Sequence, residues 1–360
     1  MNKKLLTIII SCIIIQLNYA ENELITISIP ETYELSNIIL AITPYTLDDN
    51  SFEVAKGTQY YSDVLSHFMQ YSDHPLIQKV NYSLDKWDYY LSFRTDAYGF
   101  KIDKNDKLVR IIDFKTILNR NEFEDNIDLI EDFIKKSGFR EFYKNHKTYY
   151  DSILNIYSKN EMIPEMINFL KKEFPLPSKK IHNSFSIVAS PLVNRMNCHL
   201  TIANIPTDFI SLPNYVLYGS KSIQINKKEL ASGIHMLFTE TDHGFVNPTT
   251  QDFRKLIRKK FDASKWDKES GYSEYEFGVF NEYMTWAVYD IYVYKNFPDI
   301  AESVCEKWAK QNETRGFIAS RQFNRKLLEL YQNKNDNETI RDLYPKLLNW
   351  CNDFQKKIIN

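Results

Sequence analysis

The 360-residue sequence has almost no net charge, −2 with its histidines neutral. It therefore lacks the basic surplus that draws a chain to nucleic acid, and no nucleic-acid partner is expected. Cysteine is scarce as well, four in all, and none falls in a C-x-x-C pair. If a leader carrying Cys12 is removed, Cys198, Cys305 and Cys351 remain, an odd number that excludes a fully paired framework. Stability must then come from the core, and Cys305 with Cys351 is the one pair to consider as a disulfide. No segment repeats and none is of low complexity, which excludes solenoids and propellers. The unusual feature is the aromatic content, with 24 tyrosines and 23 phenylalanines.

The one markedly apolar run opens the chain, "MNKKLLTIIISCIIIQLNYA". A short basic start, an apolar stretch of about 11 residues and a small residue, Ala20, make an export signal, whereas a membrane span needs about 20. Cleavage after Ala20 would release a periplasmic or extracellular protein without a transmembrane helix. "IISC" also resembles a lipoprotein box that would tether the chain through a lipid on Cys12.

Residues 21–175 read as a mixed, mostly helical region. "LITISIP" alternates as a strand, "YYSDVLSHFMQYSDHPLI" has helical spacing, and "YYLSFRTDAYGFKIDKNDKLVRI" suggests two strands about a "DKND" turn. Helices return up to "EMINFLKKEF", and "FPLPSKK" breaks the chain. In residues 176–360, "FSIVASPLV", "CHLTIANI" and "NYVLYGS" suggest strands of one sheet. A helix follows over about 227–243, ended by Gly244 and Pro248, then a helix carrying "RKLIRKK", a polar loop, a long helix over about 280–295 and two more helices.

The chemistry centres on "LFTETDHGFVNP". A metallopeptidase helix sets two histidines four residues apart, so that one turn stacks them on one face, with a glutamate after the first to deprotonate metal-bound water. Here Glu240 holds the position of the base and His243 that of the second ligand, while Thr239, a poor ligand, replaces the first histidine. Asp242 flanks the same face. In "FNEYMTWAVYDIY", Glu282 is an acid on an apolar helix, costly to bury unless paired or bound to a cation, and Asp290 two turns on is a candidate partner.

The order "IVASPLVNRMNCH", "TETDHGFVNP", "FNEYMTWA" and "RGFIASRQF" resembles a family of secreted bacterial zincin-like proteins of unassigned function, over roughly residues 50–350. The resemblance implies an α+β, zincin-like fold: a helical N-terminal half packed on a mixed sheet, with an active-site-type helix and C-terminal helices. It also implies His243 and Glu282 as metal ligands, a divalent cation, zinc first, and an exported metallopeptidase acting on peptide or protein, here with a degenerate motif. Glu240 and Asp242 are its candidate catalytic residues. An oxygen-rich donor set would admit manganese or calcium. The alternative is an inactive protein of the same fold that binds a peptide, glycan or protein partner in its cleft. A third reading makes Glu240, Asp242 and His243 helix-end groups and pairs Glu282 with a cation.

Other polar residues carry less. His235 lies too far along the helix to share an ion with His243 and suits a core position. Cys198 and His199 are neighbours on a strand and so point to opposite faces, which argues against a catalytic dyad. His67, His74 and His146 suit structural roles. Arg315, Tyr272 and Tyr275 could hold a developing oxyanion or belong to an ordinary loop. Asn247 and Pro248 are expected to end the motif helix.

Overall fold

The structure, a computed structural model, describes residues 15–19, 23–159, 162–176, 184–218 and 226–357. Most of the proposed leader, Cys12 included, and most of the "LPSKK" break lie outside these residues. Ile15–Tyr19 forms a strand. No helix among the described residues is long and apolar enough to cross a membrane. The protein is α+β, mostly helical with a small mixed sheet, and divides into two compact units.

The first unit comprises Met1–Lys159, Asn183–Leu212 and Val216–Tyr218. Its strands are β1 (Ile15–Tyr19), β2 (Glu23–Ser28), β3 (Phe100–Ile102), β4 (Leu108–Arg110), β5 (Ser184–Ser190), β6 (Cys198–Ile202) and β7 (Ile205–Ser211). Five of them form a sheet in the order β1-β2-β5-β7-β6, parallel at β2/β5 and β5/β7 and antiparallel at both edges. The central β5, "SFSIVAS", is buried along nearly its whole length, as a parallel strand covered on both faces requires.

Helices α1 (Glu31–Ala41), α2 (Pro44–Leu47), α3 (Gln59–Phe68), α4 (Pro75–Lys79), α5 (Trp87–Asp96), α6 (Ile127–Ser137), α7 (Phe139–Asn145) and α8 (Lys147–Ser158) complete the unit. Tyr33 of α1 and Leu91 of α5 pack with Val188, Cys198, Ile202 and Phe209 of the sheet. Glu34 of α1 is fully buried and accepts a hydrogen bond from the Tyr60 hydroxyl at 2.7 Å. Burial outweighs this bond and one from Ser190 and raises its carboxyl to about 7.

Three expectations for this half are corrected. "YYLSFRTD" is helix α5, since Tyr90, Leu91, Arg94 and Asp96 are buried at helical spacing; only β3 and β4 form the hairpin about Asp103–Lys107. "CHLTIANI" is not one strand, because Ala203 and Asn204, with φ of 49° and 66°, turn the chain back from β6 into β7. "NYVL" is a single helical turn, α10 (Asn214–Leu217).

The second unit comprises Asn160–His182, Pro213–Tyr215 and Gly219–Asn360. It holds α9 (Met162–Glu173), α11 (Lys227–Lys260), α12 (Gly278–Asn296), α13 (Ala301–Thr314), α14 (Ser320–Gln332) and α15 (Ile340–Phe354). The apolar α12 is buried on nearly all sides among α11, α13 and α14. Glu173, at the end of α9, takes hydrogen bonds from the Tyr331 hydroxyl and from the backbone N–H of Ile340, the first residue of α15.

Helix α11 opens with a capping box between Asn226 and Glu229 and runs through Gly244 and Pro248 to Lys260. The expected end near residue 243 is thus overturned. Pro248 has no N–H to offer the preceding turn, but Phe245, Val246, Thr249, Thr250 and Ile257 are buried around it, and tertiary packing outweighs the local penalty. The expected Cys305–Cys351 disulfide is also absent. Both thiols are free and buried, on α13 and α15, and burial with the nearby charge of Asp290 pushes the Cys305 thiol up.

Candidate functional site

The motif residues and the distant glutamate meet within the second unit. His243 sits on α11 and Glu282 one turn into α12, and His243 Nε2 lies 3.4 Å from Glu282 Oε1, with 18% and 12% of the two side chains exposed. The other ring nitrogen, Nδ1, is 3.4 Å from Asn247 Oδ1, one turn along the same helix. Both nitrogens thus face acceptors, the environment of an imidazolium. Burial disfavours that charge. The hydrogen bond and charge of Glu282, with the charges of Glu240 and Asp242, outweigh it and push His243 up to about 10.

Thr239 stands where the missing histidine would be. It is buried, and its hydroxyl lies within bonding distance of two carbonyl oxygens of its own helix, 3.1 Å from His235 and 3.3 Å from Met236. Glu240 is partly exposed and its charge is felt at both His243 and Tyr272. Asp242 is fully buried, and its charge also acts on the Tyr344 hydroxyl of α15. Asp290 does not join the group: it accepts a 2.8 Å hydrogen bond from Asn324 of α14, and burial raises it to about 7.

The wall facing the pair comes from two loops. Tyr272 lies in the short turn Tyr272–Glu274 before α12, where the charge of Glu282 and burial raise its hydroxyl pKa and a hydrogen bond from Arg315 partly offsets them. The turn can press on α12 because residue 278 is glycine; a Cβ there would stand 2.5 Å from the Tyr272 carbonyl oxygen. Arg315, just after α13, lies over the rings of Trp286 and Phe317, 5.4 Å and 5.6 Å from their centroids.

The remaining histidines have structural surroundings. His235 is buried, stacked on Trp308 at 3.6 Å, and burial with the charges of Arg315 and Lys307 lowers it to about 3. In the first unit, His199 Nδ1 is 2.6 Å from Asp208, while Cys198 faces the core. His67 bonds the Ser137 carbonyl, His74 bonds Asp132 and His146 bonds the Phe142 carbonyl.

Zinc in a metallopeptidase needs three protein ligands and an open fourth position. His243 and Glu282 supply two, and the Thr239 hydroxyl is turned back onto its helix. Among the described residues no group of three or more His, Cys, Asp or Glu is arranged to hold a metal ion. This donor set does not fit zinc. The role of Asn247 was misread from sequence as a helix stop, although its spacing of one turn from His243 was a usable signal; the aromatic seat of Arg315 left no such trace. The chain matches no protein-family model, no curated protein and no solved structure.

Proposed function

We propose that this is an exported zincin-like protein whose second unit binds a peptide or protein segment without cutting it. The leader supports export, with release after Ala20, which removes the edge strand β1 and leaves β2 at the sheet's edge, or a lipid tether at Cys12. The observation that carries the binding reading is the 3.4 Å contact of His243 with Glu282 beside a threonine that cannot complete a zinc site. The two groups that the metallopeptidase resemblance makes ligands serve each other as an ion pair. Around them lie hydrogen-bonding and charged groups, Glu240, Tyr272 and Arg315, suited to a peptide backbone and its ends.

A second reading, a metallopeptidase-like hydrolase with an altered, oxygen-rich cation site, draws support from Glu240, whose charge reaches His243 and which would be the third donor. One experiment separates the two. The purified, dialysed chain is assayed for bound metal by mass spectrometry, for cleavage of casein, and for binding of a labelled peptide pool, with Glu240→Gln alongside. Peptide binding with no metal and no turnover supports the binding reading. Stoichiometric metal with turnover that Glu240→Gln abolishes overturns it in favour of the hydrolase.

A further inference from the structure

We propose that Arg315, together with the Tyr272 hydroxyl, is a carboxylate-binding subsite, so that the cleft selects peptides that present a free C-terminus. The proposal rests on the binding reading and names its ligand class.

Four of the six arginines of the same unit each hold a carboxylate: Arg258 holds Glu276, Arg321 holds Glu306, Arg325 holds Glu302 and Arg341 holds Asp252; a fifth, Arg254, donates to the Gln251 carbonyl. Arg315 forms no ion pair with any described residue, although Glu240 and Glu282 lie close enough for all three charges to act on Tyr272. Glu282 is engaged by His243 instead. Arg315 is held by ring faces, which seat the guanidinium through its π-face and leave N–H groups at its edge for a partner. The Tyr272 hydroxyl lies close enough for the guanidinium charge to act on it, and its O–H is a donor available to the same ligand. A planar fork with an adjacent O–H matches the two oxygens of a carboxylate.

The seat is rigid. Gly316 has φ +104°, and a Cβ there would stand 2.2 Å from the Lys268 carbonyl oxygen, so only glycine fits. Lys268 N–H bonds the Gly316 carbonyl at 2.8 Å, Asp267 bridges Phe317, and the Phe317 ring meets Trp286 edge-on at 4.5 Å. Two backbone ties and an aromatic contact thus hold an exposed arginine beside a buried ion pair, a geometry that a free surface side chain would not need. Glu240 and Glu282 bring negative charge to the inner side. This favours a ligand with a single negative charge on Arg315 over a multiply charged anion such as phosphate.

The test uses the full chain and a fluorescently labelled pool of randomised octapeptides, made once as free acids and once as C-terminal amides, with affinity read by anisotropy. The free acids should bind about tenfold or more tighter than the amides. Arg315→Ala should bring the two within about twofold of each other, while Arg315→Lys, which keeps the charge, retains part of the difference. Thermal melts confirm that each variant is folded. Equal binding of acids and amides by the wild type overturns the subsite and leaves the binding reading standing. Binding of neither pool overturns the binding reading itself. Competition by inorganic phosphate as strong as that by the free acids would make this a general anion site and overturn the carboxylate assignment.

Discussion

Replacing Glu282 by glutamine keeps the shape of the side chain and removes the charge that His243 faces at 3.4 Å. At an effective dielectric of about 20, two unit charges at that separation attract by about 5 kcal/mol. The rise of the imidazole from 6.5 to about 10 is of the same size, at about 1.4 kcal/mol for each tenfold step. Glu240 and Asp242 remain in the variant and retain part of this, so the expected loss is about 3 kcal/mol. The pKa is higher folded than unfolded. The stabilisation is therefore complete below pH 6.5 and disappears as pH rises through about 10. Urea unfolding of wild type and Glu282→Gln at a series of pH values should give curves that lie furthest apart near the lower limit and converge near the upper. Tryptophan fluorescence is a suitable probe, since Trp266, Trp286, Trp308 and Trp350 all belong to the second unit. A difference under about 1 kcal/mol, or one that does not change across that window, would mean that the two groups are hydrated separately.

Three further outcomes follow from buried groups. Glu34 is held at about 7, above its ordinary 4.5, so its contribution is best below pH 4.5 and is lost as pH rises through 7. Glu34→Gln should flatten that dependence and gain up to about 3 kcal/mol at alkaline pH, and an unchanged stability profile would contradict it. Pro248→Ala restores an N–H inside α11 and should raise the melting temperature, by about 1–3 kcal/mol in stability; no gain would show that the surrounding packing has fully absorbed the proline. Cys198, Cys305 and Cys351 should stay unreactive to a thiol reagent until the chain is denatured, and a reducing agent should leave the melting curve in place.

Much of the second unit is legible in sequence because its helices keep one period over long stretches; the family resemblance makes His243 on α11 and Glu282 on α12 ligands of one cation, whereas here they face each other. What escapes is set by longer-range packing. Pro248 reads as a terminator by every local rule, yet the buried residues around it carry the helix two further turns and more. The run Tyr89–Asp96 is aromatic and branched enough for a strand, and only burial of Arg94 and Asp96 beside Tyr90 and Leu91 reveals a helix. The step from β6 to β7 depends on two residues with positive φ, one an alanine that advertises no turn. The side-chain partners of Thr239, Asn247 and Arg315 depend on rotamers and on distant loops, which no periodicity encodes.

Because Glu173 anchors the start of α15, a helix made midway through synthesis is completed only by a segment near the chain's end. A ribosome must add some 167 residues after Glu173 before that anchor can form, a delay of about 10–30 s at ordinary elongation rates. Until then Glu173 lacks its backbone partner, although Phe169 of α9 already packs on Phe238 of α11 and Tyr292 of α12. Truncation before residue 340 should therefore release the second unit to chaperones or proteases as a whole, rather than trim it by one helix.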